Sequence, residues 1–258
     1  MKYNVNTICG FIKGRLGDCW IDDEISRNGL QVDATPGVDV DVTRVAFAVD
    51  ACLETIEKAA DAGAQMLVVH HGISWGNGFA RINGIVAGRV SSLFRHGMSL
   101  FGCHLPLDAH PEFGNNAVIA KRLGLTVTDW FYEYHGLKVG AICNLETPMA
   151  FAELATGARE GISSRTVAYD NSNGSICKIG IVSGGGESAI YECAKLGLDC
   201  LITGEFRHQF FHDAEELGVS VLNCGHYDTE TTGIKELMKI VEKGCQVETV
   251  FIEAPTGL

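Results

Sequence analysis

Short β-branched apolar runs alternate along the chain with longer stretches of helical period, and this alternation restricts it to folds assembled from βαβ units. VTRVAFAVD (42–50) reads as a strand, CLETIEKAADAG (52–63) as the helix that follows, and QMLVVHH (65–71) as the next strand. INGIVAGRVSSLFRHG (82–97) reads as a helix, SLFGCH (99–104) as a strand, and NNAVIAKRLG (115–124) as a helix closed by its glycine. Aromatic and polar residues interrupt the pattern at TVTDWFYEYHG (126–136), which reads as a domain boundary. Beyond it, LKVGAICNLE, RTVAYD, KIGIVSGGG and LDCLITGE read as strands, with MAFAELATGAREG and ESAIYECAKLG as helices between them. The final stretch, 219–255, reads as strand, helix, strand. The domain expectation is a discontinuous metal-binding α/β domain over 1–128 and 221–258, with an inserted α/β domain over 129–220.

Composition narrows the function classes. A chain of 258 residues with 46% hydrophobic content buries a sizeable core. The N-terminal stretch lacks an apolar signal region, and no run approaches the roughly 20 apolar residues that span a bilayer. The expectation is a cytoplasmic, soluble protein. Its ten cysteines are scattered without any C-x-x-C and mostly fall in apolar runs, which favours buried, reduced thiols. A formal net charge of −12 disfavours binding to nucleic acid or an anionic membrane, since both require a cationic face.

Three strand ends carry the chemistry. In GHYDTE (225–230), counting back by fours from Ile234 lands on Glu230 and His226, so this polar pair extends the apolar stripe formed by Ile234, Leu237, Met238 and Val241. A carboxylate on that stripe is costly without a compensating cation, although a solvated first helical turn would also accommodate both residues. VVHHGISWG places His70 and His71 at the carboxyl end of an apolar strand, where open α/β sheets bind their ligands. FGCHLPLDAH adds His104, Asp108 and His110, with a helix cap or turn as the other reading of Asp108. Nitrogen and oxygen donors at three strand ends suit a metal site, and they exceed the roughly four ligands that one zinc takes. Two divalent ions sharing a carboxylate would use them. Imidazole with carboxylate leaves zinc, iron, manganese, nickel and cobalt all open.

The ordered set VVHHGISW, HLPLDAHPEFGNNAVIAKRLG and LITGEFRHQFFHDAEELGVSVLNCGHYDTETTGIKEL resembles the Nif-three-like family of dinuclear metal-centre proteins, which is also catalogued with a type 2 form of GTP cyclohydrolase I. The resemblance spans nearly the whole chain, from GLQV (29–32) to VFIEAP. It implies an α/β fold of two similar, interlocked subdomains with mixed sheets. It also implies two divalent ions held by His70, His71, Asp108, His226 and Glu230, with Glu230 as the bridge. The implied assembly is a homo-hexamer, a trimer of dimers or dimer of trimers. Two positions depart from the family pattern: Gly72 stands where proline is usual, and Leu105 and Pro106 replace threonine and asparagine. Neither change removes a ligand.

Paired divalent ions acidify water and stabilise the charge that develops in nucleophilic attack, so the expected activity is metal-dependent hydrolysis of a nucleotide, phosphoester or cyclic amidine. His104, with Glu205 behind it, is the expected proton-transfer group. No basic residues cluster along the chain to receive a triphosphate. The rival expectation is a non-enzymatic, metal-binding hexameric assembly with a regulatory or scaffold role. SGGG (183–186), between a strand and a helix, reads either as an anion cradle or as a tight turn. His208 and His212, four apart on the helix that follows Glu205, read either as proton-transfer or supporting groups near the site or as one face of a surface helix.

Overall fold

The structure is a computed structural model that describes residues 3–21, 25–38, 40–79, 81–172 and 174–258. The first elements are α1 (Val5–Leu16), β1 (Gly29–Val32), β2 (Arg44–Asp50), α2 (Leu53–Asp61), β3 (Met66–His71), α3 (Gly84–Arg95), β4 (Ser99–Gly102) and α4 (Leu105–Ala109). Then come α5 (Asn115–Arg122), β5 (Val127–Tyr134), β6 (Leu137–Ala150), α6 (Phe151–Gly161), β7 (Val167–Tyr169) and β8 (Ser175–Val182). The chain finishes with α7 (Ile190–Leu196), β9 (Cys200–Thr203), α8 (Phe211–Leu217), β10 (Ser220–Asn223), α9 (His226–Cys245) and β11 (Glu248–Phe251). No helix of the described residues is long and apolar enough to cross a membrane. The α/β class with mixed sheets stands as expected.

Two compact units form. Met1–Leu107 with Ile234–Ala254 make the first, and Asp108–Gly233 with Pro255–Leu258 the second. In the first unit a five-stranded sheet runs β1-β4-β3-β2-β11, with β1 antiparallel to β4 and the other pairings parallel. β2 and β3 are buried almost throughout, as strands covered on both faces must be. Ala46, Val69, Leu67 and Leu100 pack with Ile56 and Leu93 in one core cluster. At the start of α1, Asn4 caps the helix by accepting from the Thr7 amide at 2.9 Å, while Thr7 Oγ1 accepts from the Asn4 amide.

The second unit has a six-stranded sheet, β5-β6-β8-β9-β10-β7, whose central β8, β9 and β10 are parallel. Its strands alternate: Ile202 and Leu222 face a core with Ile119 and Leu154, while the adjacent Leu201 and Val221 face another with Ile190 and Ala214. Helices therefore cover both faces.

One sequence expectation differs from this architecture. The stretch 126–136 contains a strand, β5, paired antiparallel with β6. Only Phe131 of β5 is buried, so the apolar alternation that announces a strand is missing. Its ring lies where a Cβ on Gly140 or Gly180 would come within 2.5 or 2.8 Å, so two glycines on neighbouring strands admit it. The second compact unit begins at Asp108. Ile119 and Ala120 of α5 are buried in the core of the second sheet, and Asn116 Nδ2 donates to Val139 O at 2.7 Å.

Candidate metal centre

In the first unit, the donors sit at the carboxyl ends of the three adjacent parallel strands β2, β3 and β4. His70 is fully buried, and its Nδ1 lies 3.0 Å from the Cys103 carbonyl. A carbonyl only accepts, so Nδ1 carries the proton and the ring presents Nε2 as its donor atom. His71 Nδ1 meets Asp50 Oδ1 at 2.8 Å, with the same consequence. His104 follows β4, and its amide donates to Asn28 Oδ1 at 2.8 Å. The three rings lie 4.7 to 5.4 Å apart between centroids, and each histidine offers a ligand atom within 4.8 Å of the others. Trp75 closes the cluster edge-on to His104 at 5.2 Å, fixed by its indole N–H on Gly72 O.

The glycine at position 72 has a steric reason. A Cβ there would come within 2.2 Å of Gln31 Oε1, an oxygen that accepts from the amides of Ile73 and Ser74. In this chain the Gln31 amide orders the turn after the paired histidines, in the space a proline ring would need.

The second unit repeats the plan at the ends of β8, β9 and β10. His226 opens α9, and its Nδ1 lies 2.5 Å from Oε1 of Glu205, just beyond β9. The opposite ring nitrogen, Nε2, is 3.1 Å from Glu230 Oε1 one helical turn on. The Glu230 side chain is only 4% exposed. An imidazole between two carboxylates, one of them buried, is the arrangement that a cation stabilises. Gly184, at φ +62°, makes room for it: a Cβ there would stand 2.2 Å from Glu230 Oε1. Gly204 is also closely packed, with a Cβ position 2.8 Å from the His226 Cα. Asp108 is 7% exposed, and its Oδ1 accepts from Asn115 Nδ2 at 2.8 Å and Ser183 Oγ at 2.9 Å.

Imidazoles whose outer nitrogens are held by acceptors, together with buried carboxylates, form a donor set that fits divalent cations of nitrogen and oxygen preference. His70, His71 and His104 come together in the first unit, and His226, Glu205 and Glu230 in the second. His104 thus stands within ligand reach of the paired histidines, and Glu205 orients His226. His110 stacks on Phe113 at 3.6 Å, and its Nδ1 accepts from the Glu112 amide. His208 and His212 are exposed, the first on a separate 3-10 turn, so they do not share one helix. The SGGG loop is a tight turn: the Ser183 amide donates to Asn116 Oδ1 and the Gly184 amide to Thr229 Oγ1. The residues missed in the sequence are Asp50 and Gln31. Asp50 was signalled by its place at the carboxyl end of a strand; nothing marked Gln31.

Two α/β sheets that each present imidazole and carboxylate groups at the carboxyl ends of a parallel trio define a protein with candidate metal-binding donor sets. The model of the Duf34/NIF3 (NGG1p interacting factor 3) family matches residues 4–257, and the chain belongs to that family. A GTP cyclohydrolase 1 type 2 homolog of Pyrococcus horikoshii is 44% identical over 90% of this chain and 91% of its own. The structural-genomics protein ybgI, of unknown function, superposes with a TM-score of 0.89 at 30% identity, covering 99% of this chain and all of the other. TTHA1606 from Thermus thermophilus gives 0.85 at 32% identity with the same coverage.

Proposed function

We propose that this chain is a metal-dependent hydrolase in which His70, His71, Asp108, His226 and Glu230 are ligands for two divalent ions, and that it acts on a nucleotide, phosphoester or cyclic amidine. The relatives' name, GTP cyclohydrolase 1 type 2 homolog, supports a nucleotide or related ring compound. The observation that carries the reading is the repeated fixing of Nδ1 on His70, His71 and His226 by a carbonyl or carboxylate, which aims Nε2 as a donor in each case. Bound divalent ions would supply Lewis acidity, lowering the pKa of water and neutralising charge that develops during attack. Around them the chain's own groups orient and exclude: Asp50 and Glu205 hold imidazoles, Asn115 and Ser183 hold Asp108, and Trp75 covers His104. His104 is the group best placed to move a proton near the paired histidines.

The test is metal analysis of protein purified without added metal, combined with a turnover screen of nucleotides and phosphoesters before and after chelation. Two equivalents of metal and activity abolished by chelation are expected. Metal-free protein with undiminished turnover would end the proposal. Glu230→Ala is expected to fold, because Ile234, Leu237 and Val241 are fully buried and anchor α9, yet to hold fewer than two equivalents. We also propose the homo-hexamer, supported by the exposed Ile82, Ile85 and Phe94 on and before α3. Light scattering should give a mass near six chains, and a persistent monomer would contradict it.

A further inference from the structure

Arg165 and Arg207 stand far apart in a chain where acids outnumber bases 32 to 20, yet both line one cavity of the second unit. The cavity holds about 400 Å³, within the roughly 300 to 1,000 Å³ of small-molecule sites. Val167, Phe206, Asn223 and Leu258 also line it, together with Glu205, the acid that His226 engages. Each arginine is anchored at one point. Arg165 Nη2 donates to Asp228 Oδ2 at 2.9 Å, and Arg207 donates through Nε to the buried Glu187. The Arg207 guanidinium also lies 5.6 Å from the Phe210 ring centroid. A guanidinium carries five N–H donors in a planar fork, so most donors of each remain beyond its anchor. The side chains are 50% and 63% exposed, so those donors are accessible. Anchoring reduces the ordering cost when an anion arrives. Phe206, itself packed on Tyr169 at 5.1 Å, adds a rigid aromatic wall.

We propose that this cavity is a phosphoryl-binding subsite: Arg165 and Arg207 take the phosphate of a phosphorylated ring compound by charge-assisted bonds, and Phe206 and Val167 pack against its organic part. Glu205 sets the subsite beside His226, the proposed metal ligand. That this phosphate belongs to a substrate rests on the reading above; that the cavity binds phosphate does not.

The experiment is calorimetric titration of the full chain with inorganic phosphate, a purine nucleoside 5′-monophosphate and the unphosphorylated nucleoside, with and without EDTA. Arg165→Gln removes one charge, and Ser163 Oγ remains on Asp228. Arg207→Lys keeps a cation beside Glu187 but removes the fork. The nucleotide should bind on the order of tenfold more tightly than the nucleoside, with or without EDTA, and each variant should weaken nucleotide binding on the order of tenfold while leaving the nucleoside unaffected. Inorganic phosphate should compete. Equal affinity for nucleotide and nucleoside, wild-type binding in both variants, or nucleotide binding lost on EDTA treatment would each overturn the subsite. Metal content in the same samples separates the two ideas: arginine-dependent binding in protein that never holds metal would retain the subsite and remove the hydrolase.

Discussion

At the scale of single residues, the decisive atoms are the imidazole nitrogens that do not face the candidate metal. A histidine is a ligand only when the correct nitrogen carries its lone pair, and Asp50, the Cys103 carbonyl and Glu205 impose that choice on three rings. Asp50→Ala and Glu205→Ala should therefore leave the fold intact and lower metal affinity by roughly 10- to 100-fold, read by competition with a chromogenic chelator. Wild-type affinity in both variants would mean that these carboxylates orient nothing. The histidines themselves were legible as candidates, because adjacent imidazoles ending an apolar run are conspicuous. Their carboxylate partners were not: Asp50 lies two strands' worth of sequence before His104, and only the pairing of β2 with β3 sets it opposite His71.

At the scale of elements, glycines decide how closely helices and strands approach. Gly184 combines positive φ with a Cβ position on top of Glu230. Gly184→Ala should cost about 1–3 kcal/mol in urea unfolding and also reduce bound metal, whereas strain alone would affect only the first. Phe131 raises the complementary case, a large side chain seated over Gly140 and Gly180. Phe131→Ala should lose about 3–5 kcal/mol, and a loss below about 1 kcal/mol would show that β5 is held by backbone pairing alone. Elements with strong period, such as β2, β3 and α9, were readable in advance. β5 was not, since seven of its eight residues lack full burial and the strand is held by partners distant in sequence.

For the molecule as a whole, the buried thiols predict an alkaline limit. Burial pushes Cys9, Cys143 and Cys193 up to about 12 from an ordinary 9.0. Between those values the unfolded chain releases protons that the folded chain keeps, so stability is complete below about pH 9 and falls as pH rises toward 12. Melting temperatures should decline through that window. Serine at these three positions should flatten the decline, and an unchanged slope would point to other groups.

The alternation of apolar periods was enough to determine an α/β chain with imidazoles at its strand ends, because period follows from which face of an element is buried, a local property. What only the tertiary structure decided is which distant residues share a space. The strand order β1-β4-β3-β2-β11 brings Asp50 to His71, the parallel trio β8, β9 and β10 brings Glu205 to His226, and the cavity wall collects Arg165 with Arg207. Such meetings depend on sheet order and on close approaches between segments far apart in the chain, and no window of neighbouring residues records either.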